Sequence, residues 1–310
     1  MNTIYDLAII GGGPAGSAAG VYASRKQLKT IFITDEWGGQ SVVSTEIQNW
    51  IGTIAISGED LAKSLKAHLE HYAGDVIDIV SGDKVKNIEK ENGTFLITTQ
   101  SEKKYTAKAV LVATGATRRC LDVPGADIFE NKGLTYCASC DGPLFTGMDV
   151  AVIGGGNAGF ETASQLLAYT KSVTLLTRGA TFRADPITVE KVLQDPKMSA
   201  IKNADIKEIK GDKFVSSLCY ADKENGKEQE LSVSGIFVEI GLIPATHFVE
   251  NLVKLDDVKR IVVNPKNQQT SLERIWAAGD CTDELYHQNN IAAGDAVKAI
   301  EDIYLHLRAK

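Results

Sequence analysis

Residues 7–33 read LAIIGGGPAGSAAGVYASRKQLKTIFI, and residues 150–176 read VAVIGGGNAGFETASQLLAYTKSVTLL. Each is a short apolar run, then G-x-G-x-x-G, then a helix-like stretch and a second β-branched run. The glycines are Gly11, Gly13 and Gly16 in the first copy and Gly154, Gly156 and Gly159 in the second. In such a strand–turn–helix unit the first glycine makes the tight turn, and the second lets the backbone approach a pyrophosphate. The third lets the helix pack close to the strand, and the anion rests on the helix N-terminus. A lone glycine pattern carries little weight. Two in the same context, at positions 11 and 154, predict an α/β chain with two Rossmann-like dinucleotide-binding domains.

The residue ending the second strand of such a unit meets the adenosine ribose. Counting 24 positions from the first glycine gives Asp35 in the first copy and Arg178 in the second. An acid accepts hydrogen bonds from a free 2′-hydroxyl, and an arginine suits a 2′-phosphate. The first site is therefore expected to hold FAD or NAD and the second NADPH, an arrangement suggesting a flavin fed by a nicotinamide. The run VLVATGA (Val110–Ala116) reads as a buried strand. The run IWAAGDC (Ile275–Cys281) reads as a strand ending in Gly279 and Asp280, whose carboxylate is placed to meet ribityl hydroxyls.

The whole chain sets limits on this reading. At 310 residues it is long enough for about two domains. A net charge of −7 lacks the basic footprint of a nucleic-acid binder. The charge-free run from Leu7 to Ser24 mimics a membrane span, but it holds five glycines and a proline, and its basic residues follow rather than precede it. A cytoplasmic location is expected, where a C-x-x-C is catalytic or metal-binding more often than structural.

That motif is present in YCASCDG (Tyr136–Gly142). A structural zinc needs four ligands, whereas Cys120, Cys219 and Cys281 are single and no histidine is spaced near the pair. A redox pair is the favoured reading: one thiolate attacks and the other resolves, and Asp141 is a candidate proton donor to the leaving thiolate. The three single cysteines are expected to be packing residues.

YCASCDG before VAVIGGGNAG, with GGGPAG at the start, GGQ at Gly38–Gln40, Asn49 in QNW, ATG at Ala113–Gly115 and GD at Gly279–Asp280, resembles the low-molecular-weight thioredoxin reductases. The chain is also similar to the C-terminal reductase portion of the alkyl hydroperoxide reductase flavoprotein, especially in CDGPLF, GIFVEIGLIP and AAGDCT. That relative carries an N-terminal thioredoxin-like extension, which is expected to be absent here, so that a downstream disulfide carrier is a separate protein.

The resemblance implies a NAD(P) domain (117–245) inserted into an FAD domain (1–116 and 246–310), a homodimer, and a swivel of one domain against the other. It implies FAD contacts from Gly11, Gly13, Pro14, Ala15, Gly16, Asp35, Gly39, Gln40, Asn49, Ala113, Gly115, Gly279 and Asp280, with Gln288 near the isoalloxazine. Gly154, Gly156, Asn157 and Gly159 would receive the nicotinamide dinucleotide, with Arg178 and Arg183 on its 2′-phosphate. Cys140 would face the flavin and Cys137 would attack the disulfide of a thioredoxin-like partner, with Asp141 as the acid. Glu161 is a candidate for proton handling or simply a favourable charge at a helix start.

There is a departure from the reductase pattern. Thioredoxin reductases carry H-R-R-x-x-x-R at the phosphate clamp, and this chain has TRGATFR (Thr177–Arg183), with Gly179 in the middle. NADPH is favoured over NADH on the fit of arginine to phosphate. The alternatives are an NADH-dependent reductase serving a peroxiredoxin or alkyl hydroperoxide system through a separate carrier, a ferredoxin- or oxygen-coupled flavin dithiol enzyme, and a sensor without turnover.

Overall fold

The computed structural model describes residues 3–308 apart from Thr45, Glu46 and Cys137, with Val43, Ser139 and Cys140 described by their backbone alone. The expectation placed on Cys137 lies outside the described residues. The chain divides into two compact units, one formed by Met1–Thr117 with Ile243–Lys310 and the other by Arg118–Leu242.

In the first unit β1 (Ile4–Gly12) leads through Gly13 into α1 (Pro14–Arg25), and β2 (Thr30–Trp37) follows. Proline at the first helical position suits this start, since its missing N–H would have no intrahelical partner. The helix α2 (Gly58–Ala73) is capped by Ser57, whose hydroxyl accepts from the Asp60 amide, with Glu59 and Asp60 in its first turn. Next come β3 (Ile77–Ser81), the hairpin β4 (Val85–Glu91) and β5 (Thr94–Thr99), and β6 (Lys104–Val112).

The chain leaves this unit through β7 (Ala116–Arg118). The second unit holds β8 (Leu134–Thr135), the short helix α3 (Ala138–Asp141), β9 (Asp149–Ile153), α4 (Asn157–Leu166) and β10 (Ser172–Leu176). It continues with α5 (Pro186–Leu193), β11 (Met198–Ile201), a meander of β12 (Ala204–Gly211), β13 (Val215–Asp222) and β14 (Glu228–Ser232), and β15 (Gly235–Val238). The chain returns through β16 (Leu242–Pro244), which pairs with β7, to β17 (Ile275–Ala277) and α6 (Asn289–Arg308).

The first unit's sheet runs β3-β2-β1-β6-β5-β4, with β17 also beside β6. Its β1, β2, β3, β6 and β17 are parallel, while β4 and β5 continue it antiparallel. The second unit's sheet runs β11-β10-β9-β15-β8 and is parallel throughout. These are the α/β folds expected from the two repeats. The apolar runs are continuous rather than alternating because parallel strands are covered on both faces: Leu7 and Ile9 pack on the helix side of the first sheet, Ala8 and Ile10 on the other.

The charge-free Leu7–Ser24 run is thus a buried strand and a small-residue helix. Ala15, Ala19 and Ala23 of α1 share one core with Ala292, Ala296 and Ala299 of α6. Among the described residues, no helix is long and apolar enough to cross a membrane.

Candidate active site

The first glycine turn shows what each glycine does. Gly11 has φ of +117°, and a Cβ there would sit 2.2 Å from the Ala113 carbonyl oxygen at the end of β6. A Cβ on Gly16 would fall 1.7 Å from the Gly11 carbonyl, so α1 can press onto the turn only without a side chain. Gly13 differs: a Cβ there would meet only the Cα of Gly39, at 3.9 Å, and one on Gly39 would meet the Cα of Gly13 at 3.5 Å. Methyl groups on these two facing glycines would fill the space between them to ordinary contact distance.

That space is part of a cleft of about 220 Å³ at the carboxyl ends of the parallel strands of the first unit, the place where open α/β sheets bind ligands. Gly11, Gly13, Pro14, Ala15, Asp35, Gly39, Gln40, Ala113, Gly115, Gly279 and Asp280 line it. Gly16 does not, since its work is packing. Asn49 and Gln288 are absent from the lining, and the Asn49 amide donates to Gln288 Oε1 at 3.0 Å.

The cleft fits a dinucleotide. It offers a bare backbone at Gly13, Gly39 and Gly115, the N-terminus of α1, and the exposed carboxylates Asp35 and Glu36 at the end of β2 as ribose acceptors. Sequence reasoning missed Glu36, Asp83, Lys84, His247 and Asn289 in the lining. Asp83 arrives because the Thr34 carbonyl accepts the amides of Gly82 and Asp83, at 2.9 and 3.3 Å. Strand order, with β3 beside β2, sets that contact, and only a correct placement of β3 in the sheet could have foretold it.

The second unit repeats the turn. Gly154 has φ of +143°, with its absent Cβ 2.1 Å from the Glu239 carbonyl oxygen. A Cβ on Gly159 would be 2.1 Å from the Gly154 carbonyl, and one on Gly156 would meet nothing within 4 Å. Gly12 and Gly155 also correspond, each with its absent Cβ 2.4 Å from a threonine hydroxyl, Thr34 or Thr177. Asn157 Oδ1 accepts the Asp185 amide at 2.8 Å, and the Arg183 amide donates to the Gly155 carbonyl at 2.7 Å. These two bonds fold the loop after β10 back onto the glycine turn. Arg178 and Arg183 are both exposed there.

Two carboxyls accompany this turn. Glu161 is exposed in the first turns of α4. Glu239, just past β15, was not foreseen. Burial pushes its carboxyl above the usual range, and the nearby charge of Glu161 adds to this. The Thr162 hydroxyl bond at 2.8 Å and the Arg118 charge oppose it.

Cys140 is in α3, and Asp141 accepts a hydrogen bond from the buried Thr135 hydroxyl. The remaining thiols are free. Cys281 is a packing residue as expected: it is fully buried, with its Sγ toward the Ala278 and Val112 carbonyls, and burial raises its pKa to about 11. Cys219 is half-buried. Cys120 is exposed rather than packed, and its sulfur adjoins the Tyr136 hydroxyl, whose pKa is pushed up to about 12, mainly by burial.

Two Rossmann units in one chain, both with glycine turns shaped for a dinucleotide and one followed by a fitting cleft, define an oxidoreductase scaffold. The sequence model of the pyridine nucleotide-disulphide oxidoreductases matches residues 5–296, and the chain belongs to that family. It is 39% identical over 295 residues to a Bacillus subtilis protein named NADH dehydrogenase. It is 40% identical over 296 residues to the F component of the alkyl hydroperoxide reductase of Escherichia coli. Each alignment covers 95% of this chain but 57% of the relative, so the chain spans little more than half the length of these curated relatives. Among solved structures it is similar over its full length to the thioredoxin reductase of Giardia duodenalis (TM-score 0.88) and to that of Streptococcus pyogenes (TM-score 0.86), each 32% identical.

Proposed function

We propose that the chain is an NADPH-dependent flavin disulfide reductase that passes electrons to a thioredoxin-like protein. The observation that carries this reading is the repeated glycine turn with opposite charge at the following strand end, acidic at Asp35 and basic at Arg178. The first unit is the FAD domain, with the pyrophosphate on Gly11–Gly16, the adenosine ribose on Asp35 and the ribityl chain near Asp280. Gln40, Gly39, Asn49 and Gln288 serve the rest of the flavin. The second unit is the NAD(P) domain, with Gly154, Gly156, Asn157 and Gly159 on the pyrophosphate and Arg178 and Arg183 on the 2′-phosphate. The chemistry the flavin supplies when bound is exchange of an electron pair between a nicotinamide and a disulfide.

The chain's own residues complete the reaction. With Cys137 and Cys140 reduced, the Cys137 thiolate attacks one sulfur of the partner's disulfide, forming a mixed disulfide and expelling a partner thiolate. Asp141 gives that thiolate a proton. The Cys140 thiolate then attacks Cys137, releasing the second partner thiol and leaving a Cys137–Cys140 disulfide for the electron pair of the next NADPH to reduce. Such exchange belongs to a reducing compartment, the cytoplasm, and the working assembly is a homodimer.

Trapping tests the assignment. Reduced Cys140→Ser protein should accumulate a disulfide-linked complex with an oxidised thioredoxin, and Cys137→Ser should not. The reverse pattern would exchange the two roles, and no complex with either would remove the disulfide-reductase reading. A second reading, an NADH-dependent reductase serving a peroxide-reducing system through a separate carrier, is favoured by two facts: Gly179 within the phosphate loop and the names of the relatives at 39–40% identity.

A further inference from the structure

Beyond the two arginines, the structure brings a third cation to the same loop. Lys202 follows β11, which runs parallel to β10 with Ile201 opposite Leu176. The backbone ties continue past the strands. The Thr177 amide donates to Ile201 at 2.9 Å, Asn203 donates to Gly179 at 3.1 Å, and Ala204 donates to Thr177 at 3.0 Å. Residues 201–204 are therefore fixed beside 177–179, the segment that ends the second strand of the unit.

The lysine side chain is exposed but rests on the same loop. Its Nζ lies 4.6 Å from the centre of the Phe182 ring, and Phe182 packs edge-to-face on Phe160 of α4, with centroids 4.9 Å apart. An ammonium over an aromatic face is attracted by the ring's quadrupole. Here that attraction holds the charge over the loop that carries Arg178 and Arg183.

In a chain with 40 acidic residues, neither Lys202, Arg178 nor Arg183 has a carboxylate within ion-pair distance among the described residues. The neighbouring Asp205 feels the charge of Arg178, but its direct partner is Lys207 at 2.7 Å.

We propose that Lys202 is the third cation of a 2′-phosphate site in the second unit and a determinant of its preference for NADPH over NADH. The inference rests on the NADPH reading above and adds a residue to it. Lys202 contributes to binding of the phosphorylated ribose and to nothing else in the nucleotide.

The test uses the whole protein and two probes, adenosine 2′,5′-bisphosphate and 5′-AMP, which differ only in the 2′-phosphate, with affinities measured by calorimetry so that turnover is not needed. The native protein should bind the bisphosphate more tightly than AMP. Lys202→Gln should lose about five- to tenfold of bisphosphate affinity with AMP unchanged, as expected for one charged contact to phosphate. Lys202→Arg should retain it, and Lys171→Gln, a charge-matched control at the far end of β10, should behave as native. If native protein prefers the bisphosphate but Lys202→Gln leaves that preference intact, or weakens both ligands equally, the role of Lys202 is overturned while the NADPH reading stands. If native protein shows no preference, the NADPH reading falls and this inference with it.

Discussion

The two glycine turns are nearly the same object built twice, and their strand ends are opposites. Gly11 and Gly154 both pack against a carbonyl at the end of a neighbouring strand, Gly16 and Gly159 both press on the turn, and an added Cβ on Gly13 or Gly156 would meet nothing closer than 3.9 Å. Thr34 and Thr177 stand behind Gly12 and Gly155 at the same distance. Beyond those threonines the likeness ends, with Asp35 and Glu36 in one unit and Arg178 and Gly179 in the other. On the proposed reading, backbone geometry sets where a pyrophosphate can lie, and a few exposed charges set which nucleotide is accepted.

The largest expected effects separate packing glycines from binding glycines. Gly16→Ala and Gly159→Ala each place a methyl within 2.1 Å of a backbone carbonyl, and should cost about 3 kcal/mol or more in stability. Gly13→Ala and Gly156→Ala should change stability by less than about 0.5 kcal/mol, yet lose flavin and nicotinamide nucleotide respectively. Thermal unfolding alongside flavin content and NADPH affinity checks all four. Equal destabilisation by both kinds would break the comparison.

Next in size is the charge at the strand end. Arg178→Gln should weaken NADPH by about tenfold while leaving NADH within about twofold, since only the phosphate is lost as a partner. Steady-state KM values with both nucleotides decide it, and equal weakening of the two would deny Arg178 a phosphate role.

A smaller effect belongs to Glu239, which occupies in the second unit the place of Ala113 in the first, behind the leading glycine. Its pKa is raised in the fold by burial. The folded state therefore holds the proton more tightly than the unfolded chain, and stability from this group is complete at pH below its unfolded value and is lost as pH rises through the folded value. Glu239→Gln keeps an acceptor for Thr162 and should match native protein in acid but unfold at higher temperature above neutrality. A pH series of melting temperatures with no divergence between the two would refute this.

The smallest effect distinguishes the single thiols. Native protein treated with a thiol reagent should modify exposed Cys120 readily and leave Cys281 untouched, because its thiolate is suppressed by burial. Peptide mapping reads both, and labelling of Cys281 in folded protein would contradict its placement.

The sequence was most informative where function depends on neighbours along the chain. The glycine spacing, the strand that follows and the sign at Asp35 or Arg178 are local, and each glycine's role follows from which atoms its missing Cβ would strike. What stayed hidden depends on strand order. Asp83 reaches the cleft through the Thr34 carbonyl, and Lys202 reaches the loop of Arg178 because β11 lies beside β10. Glu239 backs Gly154 because β15 lies beside β9. Nothing in the residues near 83, 202 or 239 announces those partners. Asn49 and Gln288 came from resemblance alone, and the structure joins them to each other rather than to the cleft lining.

In the proposed relay, electrons from a nicotinamide bound by the second unit reach the dithiol by way of a flavin bound by the first. The relay is tested by anaerobic titration of the purified flavin-loaded protein with NADPH, followed by counting thiols in the quenched, denatured sample. Flavin should bleach at much lower NADPH than NADH, with two new thiols per chain that are absent when Cys137 or Cys140 is serine. A yellow protein that neither nucleotide bleaches, or one that bleaches without gaining thiols, would contradict the relay.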